Sequence, residues 1–261
     1  MIPSSIVTSF IIALAMTTIV PIALLIVLGV KRKTSALPLL VGFLAFFISQ
    51  IILRMPILNT LSTFEWYNSF QSYSIVLFIL FLCFTAGLFE ESARLGGAML
   101  LKQQKRFKDA VSFGLGHGIC EVIILVGLTN INNVIYCIAV NSPDVAFAST
   151  ISTDVLEAVA AFLIDINPAH IYLGILERVF AVVIHVSLTV MVFYSIVKKK
   201  RLFFVLAIAA HTLVNFITLT VASYLNLIVA QLALLIMTTA LGLLVLRVRT
   251  NFDDGLEPDE E

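Results

Sequence analysis

Charge is what this 261-residue chain has least of: 12% of it is Asp, Glu, Lys or Arg, against 60% hydrophobic residues. A soluble domain carries about twice that charged fraction. A water-soluble enzyme is therefore excluded, as is a nucleic-acid binder with a broad basic face. Cysteine is scarce too. Cys83, Cys120 and Cys137 stand in apolar surroundings without CxxC or CxxH spacing. Neither a disulfide framework nor a zinc finger fits them, and they read as buried small hydrophobes. The first ten residues, MIPSSIVTSF, lack the basic stretch of a signal peptide and run into an apolar segment long enough to span, so a retained first helix is expected. No repeat, Gly/Ser-rich or Pro-rich linker or low-complexity stretch divides residues 1–250, which are read as one transmembrane domain. Residues 251–261 follow as an acidic tail. Six of the 16 acids (Asp253, Asp254, Glu257, Asp259, Glu260 and Glu261) fall there, as in a solvated, disordered cytoplasmic end.

What the chain does have is hydrophobic length. A spanning helix needs about 20 mostly apolar residues, and such runs lie at 5–30, 36–53, 72–98, 109–129, 171–197, 202–222 and 224–246. The expected fold is an all-α polytopic membrane protein with about seven transmembrane helices. An eighth would require part of 130–168 to cross. Pro21 inside the first run predicts a kink. Thirteen of the 16 basic residues fall in the clusters at 31–33, 102–108, 198–201 and 247–249. Seven spans with the N-terminus outside put all of these on the cytoplasmic side, as the positive-inside rule asks. This orientation leaves Arg54 in an outer loop and Arg94 and Arg178 within spans. Residues 130–168 read as an extracytoplasmic segment containing an amphipathic helix, or as a re-entrant pair. Trp66 and Tyr67 fit an outer aromatic belt.

Against this apolar background a few polar side chains stand out: Glu90, Glu91 and Arg94 in the third run, His117 and Glu121 in the fourth, Glu177, Arg178 and His185 in the fifth, His211 and Asn215 in the sixth. Residues four apart share a helix face, so Glu90 with Arg94, His117 with Glu121, and His211 with Asn215 each present two groups to a neighbour. Counting 1.5 Å per residue from the basic clusters puts His117 and Arg94 roughly 12 Å deep, His211 roughly 15 Å, Glu90 roughly 18 Å and His185 roughly 20 Å. Four helices then supply acids, imidazoles and an amide to one layer of the inner leaflet. Ionisable residues at such depth cost at least a few kcal/mol and mark function by default.

Such a mix suits activation of water: a carboxylate takes the proton while imidazoles hold a metal or steady an oxyanion. Glu90, Glu91, Arg94 and Asn215 are the candidate catalytic group. His117, His185, His211 and Glu121 are the candidate metal ligands, and imidazole with carboxylate suits Zn2+. The plainer readings are a structural Glu90–Arg94 ion pair, a self-contained His117–Glu121 pair, and Asn215 as interhelical glue.

Glu90-Glu91-x-x-Arg94, Phe113-x-x-x-His117 with Glu121, Glu177-Arg178 with His185, and His211-x-x-x-Asn215 together resemble the motif series of the YhfC family of intramembrane metalloproteases, relatives of the PrsW proteases and of the CPBP superfamily with its type II CAAX prenyl endopeptidases. The resemblance runs over about residues 70–222. It implies a catalytic core of four helices in which Glu90 or Glu91 activates water, Arg94 orients the pair, His117 and His211 bind metal or stabilise the oxyanion, and Asn215 assists. Implied partners are membrane lipids and a membrane-bound peptide or protein substrate, and not nucleic acid. The endopeptidase pattern has one more residue before its basic position, and PrsW has Lys where this chain has Arg94, so substrate class is left open. Two other functions use similar ingredients: a proton-coupled transporter, for which no matched halves are visible, and a non-catalytic immunity or interaction protein on the same scaffold.

Overall fold

The computed structural model of the protein describes residues 1–31 and 33–254. It is 85% helical, with no strand among the described residues. The helices, in chain order, are α1 (Ser4–Val30), α2 (Ala36–Leu61), α3 (Glu65–Tyr73), α4 (Ile75–Leu100), α5 (Phe107–Asn141), α6 (Thr153–Ile164), α7 (Pro168–Val197), α8 (Leu202–Tyr224) and α9 (Leu227–Arg249). Seven of them, all but α3 and α6, are long and apolar enough to cross a membrane. The shortest of the seven has 23 residues, about 35 Å at 1.5 Å per residue, which exceeds a hydrocarbon core of about 30 Å. The protein is thus an all-α, multi-pass membrane protein.

Two spans run further than hydropathy predicts, for one reason. Arg54 ends the second apolar run in the sequence, yet α2 continues to Leu61. Its guanidinium does not go to an outer loop. It bonds Gln50 on its own helix and Leu82 and Thr85 on α4, so the charge is satisfied where it stands. Likewise α5 passes Thr129 and Asn130 to reach Asn141, because the Thr129 hydroxyl donates to the Leu125 carbonyl and the Asn130 amide to Thr17. The amphipathic helix expected beyond it is α6. Its 12 residues reach about 18 Å, too short to span. Trp66 is exposed as an interfacial residue would be, but Tyr67 turns inward against Phe78. Near Pro21 the helix widens into a π-turn over Ala15–Ile19. A proline ring cannot accommodate the carbonyl four residues back, and such a turn is one way to absorb that.

The described residues fall into two compact units. One comprises Met1–Val27 with Glu121–Val179. Its core joins Ile2, Ile6 and Phe10 to Cys137 and Leu163, and Ile2 and Asn141 exchange two hydrogen bonds. Arg178 pairs there with both Glu121 and Glu177. The other unit comprises Leu28–Cys120 and the chain from Phe180 onward. Phe113, Phe193 and Tyr194 belong to one of its core clusters. Phe252 packs into that cluster fully buried, and Asp253 accepts a hydrogen bond from the Phe107 N–H. The start of the acidic tail is therefore docked through Phe252, which has an apolar seat beside a helix N-terminus that lacks acceptors, while Asp253 and Asp254 stay exposed as expected. The expectation for Glu257, Asp259, Glu260 and Glu261 lies outside the described residues.

Glycines set the spacing in this unit. A Cβ on Gly116 would overlap the Leu39 carbonyl oxygen, and one on Gly42 would overlap that of Phe113, so α2 and α5 touch backbone to backbone. On α7, Val186 Cα stands 2.6 Å from where a Gly114 Cβ would lie. Backbones this close exclude any larger side chain. Gly116→Leu is expected to force α2 and α5 apart at a cost of at least about 1–3 kcal/mol. Thermal unfolding in detergent should show a lowered midpoint for Gly116→Leu and none for Gly96→Leu, whose Cβ would meet open space.

Candidate functional site

Three residues on one helix start the site. Glu90, Glu91 and Arg94 sit on α4 at spacings of three and four, so the guanidinium lies over both carboxylates, one turn along. Arg94 NH1 bonds Glu91 Oε1, and NH2 is 3.4 Å from Glu90 Oε2. Arg94, Glu91 and His117 are fully buried, and Glu90, His185 and His211 are nearly so. Close packing places the imidazoles: Gly118 lies under the His185 side chain, and Gly87 lets His211 and Thr212 of α8 approach α4.

Three imidazoles surround the two acids. His117 Nε2 is 3.0 Å from Glu90 Oε2, His185 Nδ1 is 3.8 Å from the same oxygen, and His211 Nε2 is 3.8 Å from Glu90 Oε1. His211 turns its other nitrogen to Glu91, with Nδ1 2.7 Å from Oε1. A carboxylate only accepts, so His211 donates from Nδ1. The rings of His117 and His185 lie 5.2 Å apart, those of His185 and His211 5.8 Å. The described bonds of Glu121 go to Arg178 in the other unit. Asn215 is half-buried, and no described hydrogen bond joins it to this group.

One ligand atom from each of Glu90, His117 and His185 lies within 4.8 Å of the other two. Two imidazole nitrogens and a carboxylate oxygen match the three-ligand sets that hold a catalytic divalent cation. Three buried polar atoms of the site, Glu91 Oε2, His117 Nδ1 and the donor Arg94 Nε, have no hydrogen-bond partner, and such orphans are rare unless water or an ion satisfies them. The residues fit a metal on donor chemistry. One contact competes: Arg94 NH2 stands 2.6 Å from His185 Nδ1. Guanidinium only donates, so it uses the lone pair that a cation would need.

Residues 16–239 match the family described as YhfC intramembrane metalloprotease. The chain belongs to this family. A YhfC relative, the uncharacterized membrane protein YhfC of Bacillus subtilis strain 168, is 27% identical over 206 residues, covering 77% of this chain and 79% of its own. No solved structure matches the chain. The family's description implies a metal ion, and the Glu90, His117 and His185 group is where this YhfC chain could hold one.

Motif reading did not reach two members of the network. Gln50 Nε2 donates to Glu90 Oε1 at 3.0 Å, and Arg54 NH1 donates to Gln50 Oε1 at 3.0 Å. Both sit on α2, within a π-wound stretch over Phe47–Arg54. Their signal was in the sequence: a glutamine and an arginine four apart in an apolar run share a face, like the other pairs. Beside them, Ile48, Ser49 and Leu53 of α2 and Leu88, Phe89, Ser92 and Ala93 of α4 line a groove of about 380 Å3.

Removing Arg94 leaves two buried carboxylates without their direct cation. Breaking one side of a buried ion pair costs about 3–5 kcal/mol. Arg94→Met is expected to lower unfolding stability by that order, with Arg94→Lys intermediate, as read by denaturant titration in micelles.

Proposed function

We propose that the protein is an intramembrane peptidase that hydrolyses a peptide bond in a membrane-associated substrate. The observation that carries this is the buried convergence of Glu90, His117 and His185 beside an unpartnered carboxylate oxygen, Glu91 Oε2. In this reading Glu90, His117 and His185 hold a divalent cation, with Zn2+ favoured by the donor set. Such an ion, when bound there, would supply Lewis-acid chemistry, a lowered pKa for a bound water and a polarised scissile carbonyl.

The remaining roles belong to the chain itself. Glu91 Oε2 has no partner and is the general base in this reading, while His211 and Arg94 hold its other oxygen in place. In its neutral form His211 would have a lone pair on Nε2 with which to receive or relay a proton. Asn215, one turn beyond His211, is an oxyanion donor only if substrate brings it into reach. Glu121, assigned as a ligand by its spacing from His117, is bonded to Arg178, and no part of the proposal rests on it. The apolar groove along α2 and α4 suits the side chains of an extended substrate segment arriving from lipid. With basic clusters on the cytoplasmic side, the site lies in the inner half of a bacterial cytoplasmic membrane.

The contact of Arg94 with His185 favours a second reading, hydrolysis by the glutamate and histidine residues without metal. Metal content and cleavage separate the two. Purified protein in liposomes is expected to cleave membrane-spanning peptides and to hold one zinc per chain. Glu91→Gln should lose cleavage by at least about 100-fold while keeping the metal, whereas Glu90→Ala and His117→Ala should lose both. Cleavage by metal-free wild type would decide for the second reading, and full activity in Glu91→Gln would remove Glu91 as the base. Filling the groove with Ser92→Trp is expected to raise KM severalfold at unchanged kcat, the mark of lost uniform binding.

A further inference from the structure

Glu90 is held by more than the motif residues. Its Oε2 faces His117 and His185, but Oε1 is taken by Gln50, which comes from α2 and stands outside every motif named above. A glutamine side chain has a donor end and an acceptor end, and something must choose between them. Here the choice is made by Arg54. Its NH1 can only donate, and it meets Gln50 Oε1 at 3.0 Å. The amide nitrogen is thereby left for Glu90, which as a carboxylate can only accept. A flipped amide would set oxygen against oxygen at Glu90 and N–H against N–H at Arg54.

Arg54 is itself fixed. Nε donates to Thr85 Oγ1 at 3.2 Å and NH2 to the Leu82 carbonyl at 2.7 Å, both on α4, the helix that carries Glu90. The polar path thus leaves α4 at Leu82 and Thr85, crosses to α2 through Arg54 and Gln50, and returns to α4 at Glu90. Such a closed path limits rotation of the Glu90 carboxylate. It also balances charge, since two guanidinium groups, Arg94 directly and Arg54 through the amide, face two carboxylates.

We propose that Gln50 is a positioning residue of the site: it pins Glu90 Oε1 so that Oε2 stays turned toward His117 and His185, and Arg54 sets the direction of the Gln50 amide. The proposal rests on the reading of Glu90 as a ligand. Groups that hydrogen-bond a ligating carboxylate in this way are worth about 10–100-fold in metal affinity or activity.

The test is cobalt(II) titration of the full-length protein in detergent, followed by its absorption bands, for wild type, Gln50→Met, Arg54→Met and the double variant, with thermal unfolding of each. Gln50→Met keeps the side-chain length and removes the donor. It is expected to weaken cobalt binding about 10–100-fold and to alter the bands; the unfolding midpoint falls as well, since Glu90 and Arg54 each lose a buried partner, and the titration is made well below it. Arg54→Met should weaken binding less, and adding it to Gln50→Met should cost nothing further. Wild-type affinity and bands in Gln50→Met would overturn the proposal, and additive losses in the double variant would overturn the part assigned to Arg54. Peptide cleavage is measured on the same samples. A wild type that binds cobalt but cleaves nothing defeats the peptidase reading alone, because the affinity ratio still decides the role of Gln50.

Discussion

Two adjacent carboxylates buried in a membrane-spanning helix are the constraint from which the rest follows. Neither Glu90 nor Glu91 can remain charged in an apolar surround without partners, since an isolated buried ion costs far more than the few kcal/mol that hold a domain together. Arg94 lies one turn away on the same helix and meets both. It cannot satisfy four carboxylate oxygens alone. The three histidines and Gln50, with Arg54 behind it, help to satisfy three of the four oxygens, and Glu91 Oε2 is left without a partner. That requirement draws α2, α5, α7 and α8 around α4. The glycine contacts of α5 with α2 and α7 let them come close enough.

The same arrangement separates two environments on neighbouring faces of one helix pair. Residues 90, 91 and 94 of α4 carry the charge inward, while residues 88, 89, 92 and 93 form the apolar wall of the groove with α2. A helical repeat of 3.6 residues makes this division automatic. The apolar groove and the buried polar centre therefore occupy different faces of α4, a division compatible with the peptidase function proposed for this member of the YhfC family.

Much of the site was legible before any coordinates. Intramembrane Glu, Arg and His residues at four-residue spacing are conspicuous, and counting rise per residue brought Glu90, Arg94, His117, His185 and His211 to one layer, where the structure joins them. Hydropathy found the seven spans but cut two of them short, because it scores Arg54 and Asn130 as loop residues when each is satisfied by a neighbouring helix. The same blind spot hid Gln50 and Arg54. Their place in the network depends on what they face, and no motif marks them.

The sequence by itself determined the number and type of the helices, the membrane as their solvent, and the small group of ionisable residues that must find partners, because length, hydropathy and helical spacing are local properties. Only the tertiary structure decided how the partners are shared: Glu90 with His117, His185 and Gln50, Glu91 with His211, and Arg94 between them. Those pairings depend on which helix faces meet and how closely their glycines let them pack, and separations between distant segments are written in no single stretch of chain.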